Sequence, residues 1–238
     1  MTTSGPGGAP SARMPSHPLV TLPLAFLVVA FDALLLALAL GGTQALHTHP
    51  RALALLAVYT ATGVPLALLR PVRDQDVVAR TPDPAWRMAL LFVVPLLIPP
   101  VSAFGEHARI AALPSAPWLG WLGVTLAAAG LTLRVAAMTR LGTRFAPVVA
   151  LQREHALETG GPYTHVRHPG YLGAWLAALG AALVFRNGLA MPLLILFSWL
   201  LAGRARNEDA MLEAHFGGTY RAWAARTGAF LPKPGRRG

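Results

Sequence analysis

The sequence predicts an all-α polytopic membrane protein of about six spans, with a C-terminal helical hairpin and a cytoplasmic cap. Of the 238 residues, 54% are hydrophobic and only 13% are charged, whereas soluble domains usually carry about 25% charged residues. Several apolar runs are long enough to cross a bilayer. The chain contains no cysteine, which excludes disulfides, thiolate metal sites and cysteine nucleophiles.

The N-terminal part of the chain divides into a tail and a bundle. Residues 1–18 are rich in Gly, Pro and Ser, so we expect a disordered tail that cannot bury a core. Residues 19–138 are expected to form a four-span bundle. Its predicted spans are 19–40, 52–69, 86–104 and 118–138. The first run is longer than the usual apolar region of a signal peptide, about 7–15 residues, so we interpret it as a span.

The C-terminal region, residues 139–238, begins with a polar, interfacial stretch. A fifth helix is expected from Pro169 to residue 185, because proline suits the first turn of a helix. A sixth starts near residue 189, continues as a polar helix to about residue 215, and is followed by a short amphipathic helix at about 219–226. The turn at 186–188 folds the last two apolar helices into a hairpin. This hairpin brings the polar string 167–173 opposite the polar string 204–209.

The basic residues are distributed unevenly between the two ends of the predicted spans. With six spans and the N-terminus inside, 17 of the 20 arginines and lysines lie inside, and only Arg51, Arg109 and Arg186 lie outside. This asymmetry follows the positive-inside rule. It predicts an integral protein of a bacterial inner membrane with both termini cytoplasmic, the bacterial source being suggested by the Ala-, Gly- and Pro-rich composition. The net charge of +10 therefore needs no nucleic-acid partner.

The two polar strings contain the candidate catalytic groups. Arg204 and Glu208 are four residues apart, so they share one face of a helix. A guanidinium can bind a carboxylate in bidentate fashion, and the acid can hold an ammonium group. The alternative is an ordinary surface ion pair worth about 0.3–0.5 kcal/mol. His168 and Tyr171 are expected on the opposite helix, either in the site or as a helix cap and an interfacial aromatic residue.

Two further features have weaker functional interpretations. Asp32 lies in the middle of the first predicted span, where an acid is either functional or the buried partner of a polar group on another helix. The spacing of His155, His165 and His168 does not match a metal site, so no metal is expected.

The strings GGPYTHVRHPGYLG and RNEDAMLEAHFGGTYRAW, with a hydrophobic stretch between them and Phe-Leu-Pro after them, resemble the isoprenylcysteine carboxyl methyltransferase family. Phospholipid N-methyltransferases are related to that family. The resemblance covers about residues 140–232. It implies an integral-membrane enzyme that uses S-adenosylmethionine, in which residues 139–238 form the catalytic region and the cytoplasmic helices form a cofactor-binding cap.

The resemblance also implies the roles of individual residues. The family's cofactor contacts fall on His155, Ala156, Leu157, Glu158, Tyr163, His168, Pro169, Gly170, Tyr171 and Glu208. Its substrate-contacting arginine falls on Arg204, so Arg204 and Glu208 are the expected catalytic pair. The chain departs from the family pattern in two places, with Asp209 where a second glutamate is usual and Trp223 where a second tyrosine is usual.

Together these features predict a methyltransferase that acts on a lipid-like or prenylated acceptor, by carboxyl O-methylation of the isoprenylcysteine type. We favour this over amine or phospholipid N-methylation because Arg204 would repel an ammonium headgroup. Two alternatives remain open. One is an NADPH-dependent sterol-type reductase, a class that shares an RHPxYxG-like string, and the other is a non-catalytic membrane protein.

Overall fold

A computed structural model describes residues 18–68, 77–80, 83–113, 116–142, 150–152 and 157–233. The helices are α1 (Pro18–Leu40), α2 (Thr43–His47), α3 (Pro50–Leu68), α4 (Ala85–Ala108), α5 (Pro117–Leu141), α6 (Pro169–Val184), α7 (Met191–Phe216) and α8 (Gly218–Arg226). Two short strands, β1 (Val77–Arg80) and β2 (Ala150–Gln152), pair antiparallel. The described residues are otherwise mainly helical, so the predicted all-α class is confirmed despite this small sheet.

All six predicted apolar segments are helices, with most ends within a few residues of the expected positions. Three helices, α1, α4 and α5, are long and apolar enough to cross a membrane, and α6 is apolar but shorter. The helical fold is therefore confirmed, with three candidate membrane-spanning helices among the described residues. The count of six spans and the division into a four-span bundle and a catalytic region remain predictions, and residues 1–17 of the expected tail lie outside the described residues.

The helices expose many large apolar side chains, which is the surface expected of a protein surrounded by lipid. The most exposed of those on the long helices are Leu27, Leu38, Phe92, Trp118 and Ile195. Tryptophan is enriched at membrane–water interfaces. Trp86, near the start of α4, and Trp118, near the start of α5, are both more than half exposed and suit that position.

α5 and α6 form the closest helix pair, because glycines let their backbones approach. A Cβ added at Gly123 would lie 2.5 Å from the backbone nitrogen of Val184, and one at Gly130 would lie 2.5 Å from the carbonyl oxygen of Gly173. α7 packs mainly on α4, and its contacts with α6 are fewer. The predicted hairpin of α6 and α7 is thus present, but each helix has a different main partner.

The connections between helices meet at two opposite ends of the bundle. At one end β1 pairs with β2, and Val166 forms a bridge with Gly228. At the other end Ala112 forms a bridge with Asn187 in the turn between α6 and α7. This sorting agrees with the alternating directions of the six predicted spans, and it places the start of α4, the start of α6 and the polar half of α7 together.

Candidate functional site

The start of α6 is fixed by the segment that follows α8. The backbone N–H groups of Arg167 and His168 donate to the carbonyls of Gly228 and Ala229 at 2.8 and 3.0 Å. Pro169 occupies the first turn of α6, where it has no hydrogen bond to lose. His168, which precedes the helix, is only 4% exposed, and its ring lies 5.8 Å from that of Phe230.

His168 contacts Asp209 on α7, as the predicted juxtaposition of the two polar strings requires. Its Nε2 lies 2.8 Å from Asp209 Oδ1. Because a carboxylate only accepts hydrogen bonds, Nε2 carries a proton in this contact. Arg167 donates to both oxygens of the same carboxylate, from Nη2 to Oδ2 at 3.1 Å and from Nε to Oδ1 at 3.4 Å.

Asp209 is also the acceptor for the hydroxyl of Tyr220 on α8. Burial alone would raise the pKa of Asp209, but the hydrogen bonds from His168 and Arg167 outweigh it and hold that pKa well below its usual range. In the same contact, burial and the hydrogen bond to Asp209 raise the pKa of Tyr220. The shorter acid at position 209 therefore still reaches three donors.

Tyr171 links Arg204 to Glu208. Its hydroxyl donates to Glu208 Oε2 at 2.6 Å and accepts from Arg204 Nε at 2.8 Å. Its ring stacks on that of His168, with centroids 5.4 Å apart and planes 7° from parallel. Arg204 and Glu208 thus meet through one phenol rather than as a surface ion pair, and Arg204 is 5% exposed.

Asp83, just before α4, is a member of this cluster that the sequence analysis missed. Arg204 Nη1 donates to Asp83 Oδ2 at 3.3 Å, and Asp83 Oδ1 accepts from Asn207 Nδ2 at 2.9 Å and from Arg87 Nη1 at 3.0 Å. The side chain of Asp83 is 1% exposed. Asp83 lies well after the predicted span 52–69 and belongs to no recognisable motif. No sequence pattern therefore indicates its role. We name as the inner polar cluster Asp83, Arg87, Arg167, His168, Tyr171, Arg204, Asn207, Glu208 and Asp209.

The remaining predicted cofactor residues lie along the approach to α6. Glu158 Oε1 accepts from the backbone of Gly160 at 2.9 Å and from Arg140 Nε at 3.2 Å. Tyr163 is buried, and its hydroxyl lies 3.5 Å from the carbonyl oxygen of Ala137. Trp223, the second departure from the family pattern, donates to the carbonyl of Tyr163 at 3.3 Å.

Three other predicted positions have simpler outcomes. Leu157 packs against the same apolar cluster as Tyr163, whereas His155 and Ala156 lie outside the described residues. Gly170 accepts a hydrogen bond on its carbonyl oxygen from Arg134 Nη1 at 3.0 Å. Arg134, near the end of the predicted span 118–138, is a second residue that sequence reasoning did not assign to the site.

Two features lie away from the inner polar cluster. Asp32 in α1 is 2% exposed, and neither carboxylate oxygen has a hydrogen-bond partner within the described ranges. At the opposite end of the bundle, Glu106 accepts from Arg51 at 3.2 Å and from Arg186 at 3.1 Å, and lies 3.1 Å from His49 Nε2. We name these four residues, His49, Arg51, Glu106 and Arg186, the outer polar cluster. No group of three or more metal-binding side chains occurs among the residues described.

Comparison with known proteins confirms the resemblance noted from the sequence. Residues 121–214 match the isoprenylcysteine carboxyl methyltransferase family. A protein-S-isoprenylcysteine O-methyltransferase from Schizosaccharomyces pombe is 34% identical over 106 residues, which cover 43% of this chain and 45% of that protein. One from Tribolium castaneum is 30% identical over 118 residues, covering 48% of this chain and 42% of that protein. The matched segments thus span less than half the length of these curated relatives.

The fold is similar to that of a solved structure over most of the chain. That structure is described as the eukaryotic intramembrane Ras methyltransferase isoprenylcysteine carboxyl methyltransferase without a monobody. The alignment covers 90% of this chain and 83% of that chain, with a TM-score of 0.51 and 19% sequence identity. At this identity the similarity establishes a shared membrane fold.

Proposed function

We propose that this chain is an integral-membrane methyltransferase that uses S-adenosylmethionine to methylate a carboxylate on a lipid-like acceptor, of the isoprenylcysteine type. The observation that carries the proposal is the contact of Arg204 and Glu208 with the same hydroxyl of Tyr171. It places a cation suited to a carboxylate beside an acid suited to an ammonium group. The names of the curated relatives support the same activity.

The residues around the start of α6 suit the chemistry of S-adenosylmethionine. Its amino-acid end carries an ammonium and a carboxylate, and its adenine can stack on aromatic rings. Glu208 Oε1 has no hydrogen-bond partner in the part of the chain that the structure describes, so it is available to an ammonium group. Arg134 donates to a carbonyl and forms no ion pair within the described ranges, so it suits a carboxylate. A Cβ at Gly170 would meet only Ala137, at 3.8 Å, which leaves room beside the backbone.

Each member of the site then has a definite task. Arg204 orients the acceptor's carboxylate, and Glu208 holds the ammonium end of the cofactor. Tyr171 fixes the separation of these two groups, while Asp209 and Arg167 hold His168 against the ring of Tyr171. We assign the other family positions, His155, Ala156, Leu157, Glu158, Tyr163, Pro169 and Gly170, to cofactor binding. S-adenosylmethionine supplies a methyl group that is already activated by its sulfonium, so an ionised carboxylate needs no general base.

Catalysis at such a site depends on positioning. Holding two reactants in line can contribute about 7–11 kcal/mol to lowering a barrier. The buried inner polar cluster supplies this order, because each of Arg204, Tyr171 and His168 is held by at least two contacts. An apolar tail can remain among the exposed apolar side chains of the helices while the carboxylate reaches Arg204.

Amine N-methylation is the second candidate function, and one observation bears on it. Asp83 lies 3.3 Å from Arg204 and offsets its charge, so repulsion of an ammonium headgroup is weaker than the sequence analysis assumed. The preference for a carboxylate acceptor therefore depends on the relatives, which are O-methyltransferases, more than on charge. The relatives also favour a methyltransferase over an NADPH-dependent reductase or a non-catalytic protein.

We also propose the setting in which the enzyme acts. The distribution of basic residues supports a bacterial inner membrane with both termini and the inner polar cluster on the cytoplasmic side. A cytoplasmic site is accessible to S-adenosylmethionine, and a lipid-like or prenylated acceptor can approach from the bilayer.

The test is methyl transfer by the purified protein in lipid nanodiscs. Radiolabelled S-adenosylmethionine is supplied with an N-acetylated, farnesylated cysteine, with its amide, or with a total lipid extract. We expect label to enter the carboxylate as a base-labile methyl ester and not to enter the amide. Base-stable label in lipid amines would instead establish N-methylation, and tight binding of NADPH without binding of S-adenosylmethionine would favour the reductase.

Variants of one helix provide the matched control. Arg204→Ala is expected to reduce methyl transfer more than tenfold, because about 2–5 kcal/mol is lost when one partner of a buried charge contact is removed. Arg206→Ala removes an exposed arginine two residues away and is expected to leave the rate unchanged. Equal rates in the two variants would remove Arg204 from the site.

A further inference from the structure

Arg204, the residue proposed to bind the acceptor's carboxylate, already contacts a carboxylate of the protein itself. Its Nη1 donates to Asp83 Oδ2 at 3.3 Å, on the side of the guanidinium away from the Nε that contacts Tyr171. The two side chains are 6% and 1% exposed. An ion pair this deeply buried interacts strongly, because water screens it little.

The contacts of Asp83 are divided between its two oxygens. Oδ2 contacts Arg204, whereas Oδ1 accepts from Asn207 at 2.9 Å and from Arg87 at 3.0 Å. Asp83 therefore keeps two donors, one of them a cation, when its contact with Arg204 is lost. Arg204 in turn keeps its contact with the hydroxyl of Tyr171. Neither charge is left uncompensated if another carboxylate replaces Oδ2, so the large penalty for breaking a buried pair is avoided.

We propose that Asp83 determines the affinity of the site for anionic acceptors, by occupying the donor of Arg204 that the acceptor's carboxylate takes over. This inference rests on the proposed function, since it requires an acceptor that carries a carboxylate. Binding is an exchange of one carboxylate for another at Nη1, with no covalent change. An acceptor without a negative charge cannot compete with Asp83, so the same contact selects carboxylates over their esters and amides.

If the acceptor's carboxylate replaces Asp83 at Arg204, two substitutions among the contacts of Asp83 should change the affinity for the acceptor in opposite directions. Asp83→Asn removes the competing charge, so the acceptor's carboxylate should bind Arg204 more tightly. Arg87→Gln removes the cation that holds Oδ1, so Asp83 should pair more strongly with Arg204 and the acceptor should bind less tightly. If Asp83 had a purely structural role, both substitutions would instead change the affinity for the acceptor in the same direction.

The experiment measures KM for the N-acetylated, farnesylated cysteine and the inhibition constant of its methyl ester, with the full-length protein in nanodiscs. We expect KM to fall about fivefold in Asp83→Asn and to rise about threefold in Arg87→Gln, changes typical of one net hydrogen-bond contact. The inhibition constant of the uncharged ester should change less than twofold in both. Binding of S-adenosylhomocysteine checks that each variant is folded, and Arg206→Ala is the control with an unchanged KM.

The outcomes separate this inference from the proposed function. If the wild-type protein does not methylate the farnesylated cysteine or any other carboxylate acceptor, the proposed function fails and this inference fails with it. If the wild type is active but KM rises in Asp83→Asn, the inference alone is overturned, and Asp83 supports binding rather than competing with it. Should Asp83→Asn fail to fold, an unchanged or lower KM in Arg87→Gln also overturns the inference.

Discussion

The two ends of the bundle each gather charged side chains, but the inner and outer polar clusters are built differently. In the outer polar cluster a single carboxylate, that of Glu106, contacts three basic side chains, and both of its oxygens have partners. In the inner polar cluster three carboxylates alternate with arginines, a histidine and a phenol. One of these acids, Asp209, has donors on both oxygens, whereas Glu208 leaves Oε1 without a partner among the described residues.

This difference separates charges that hold helices together from charges that can bind a ligand. Glu106 joins α4 to the start of α3 and to the turn before α7, and both of its oxygens already contact basic side chains. Glu208 and Arg204 are both held by the hydroxyl of Tyr171, and they are the residues that we propose bind the cofactor and the acceptor. The inner cluster is therefore the one in which substitutions should affect activity more than stability.

The largest expected effect on ligand binding is that of Glu208→Gln. This variant keeps the shape and the contact with Tyr171 but loses the charge that we propose holds the ammonium group of the cofactor. We expect binding of S-adenosylhomocysteine, measured by isothermal titration, to weaken more than tenfold, because contacts to charged groups contribute about 1.5–3 kcal/mol. Glu213→Gln, on the exposed surface of the same helix, is the matched control. Wild-type affinity in Glu208→Gln would place the ammonium site elsewhere.

The next effect tests the outer cluster with the same type of substitution. Glu106→Gln leaves three basic groups without their carboxylate, and breaking a buried pair costs about 3–5 kcal/mol. We expect a value at the lower end, since the side chain of Glu106 is 21% exposed. The loss should be seen as a lower free energy of unfolding in a denaturant titration in mixed micelles. The affinity for S-adenosylhomocysteine should stay within twofold of wild type, and a tenfold loss would contradict the distinction between the two clusters.

The smallest expected effect concerns pH. The folded protein holds the pKa of Asp209 below its usual value, so this carboxylate stabilises the fold at neutral pH. That contribution is complete above the ordinary pKa of an aspartate, about 3.9, and it is lost as the pH falls from there toward the lower folded value. At pH 7 the free energy of unfolding of the wild type should exceed that of Asp209→Asn by about 2 kcal/mol.

The check on this prediction is the difference in the free energy of unfolding between the two proteins, followed from pH 7 to pH 3. It should narrow only below about pH 4, where the aspartate begins to take up its proton in the unfolded chain. A difference that is constant over the whole range would mean that the charge of Asp209 contributes no stability.

Much of the fold follows from apolar run length and from turn residues. The helix from Pro169 and the turn at 186–188 were both predicted, and counting back from that turn correctly placed Tyr171 and His168 opposite the string 204–209. Such counting succeeds because helix geometry is regular and the connection is short. The tight packing of α5 on α6 was not predicted, because the close approach of Gly130 and Gly173 depends on which helix faces which.

The parts of the site that sequence reasoning missed come from other segments of the chain. Asp83 lies more than 120 residues before its partner Arg204, and Arg134 reaches Gly170 across two helices. Neither contact produces a periodic pattern or a short motif. Only tertiary packing brings these side chains together. A family motif therefore identifies the residues within it but not the residues elsewhere in the chain that contact them.

The position of Asp83 limits how far the segment that matches the family can be transferred to another protein. The family match begins at residue 121, but the acid that balances Arg204 stands before α4, outside that segment. A chimera that joined only the matched segment to helices from another protein would separate the buried guanidinium of Arg204 from the carboxylate of Asp83. Exchange of this region between relatives therefore also requires transfer of the segment immediately before α4, which carries Asp83.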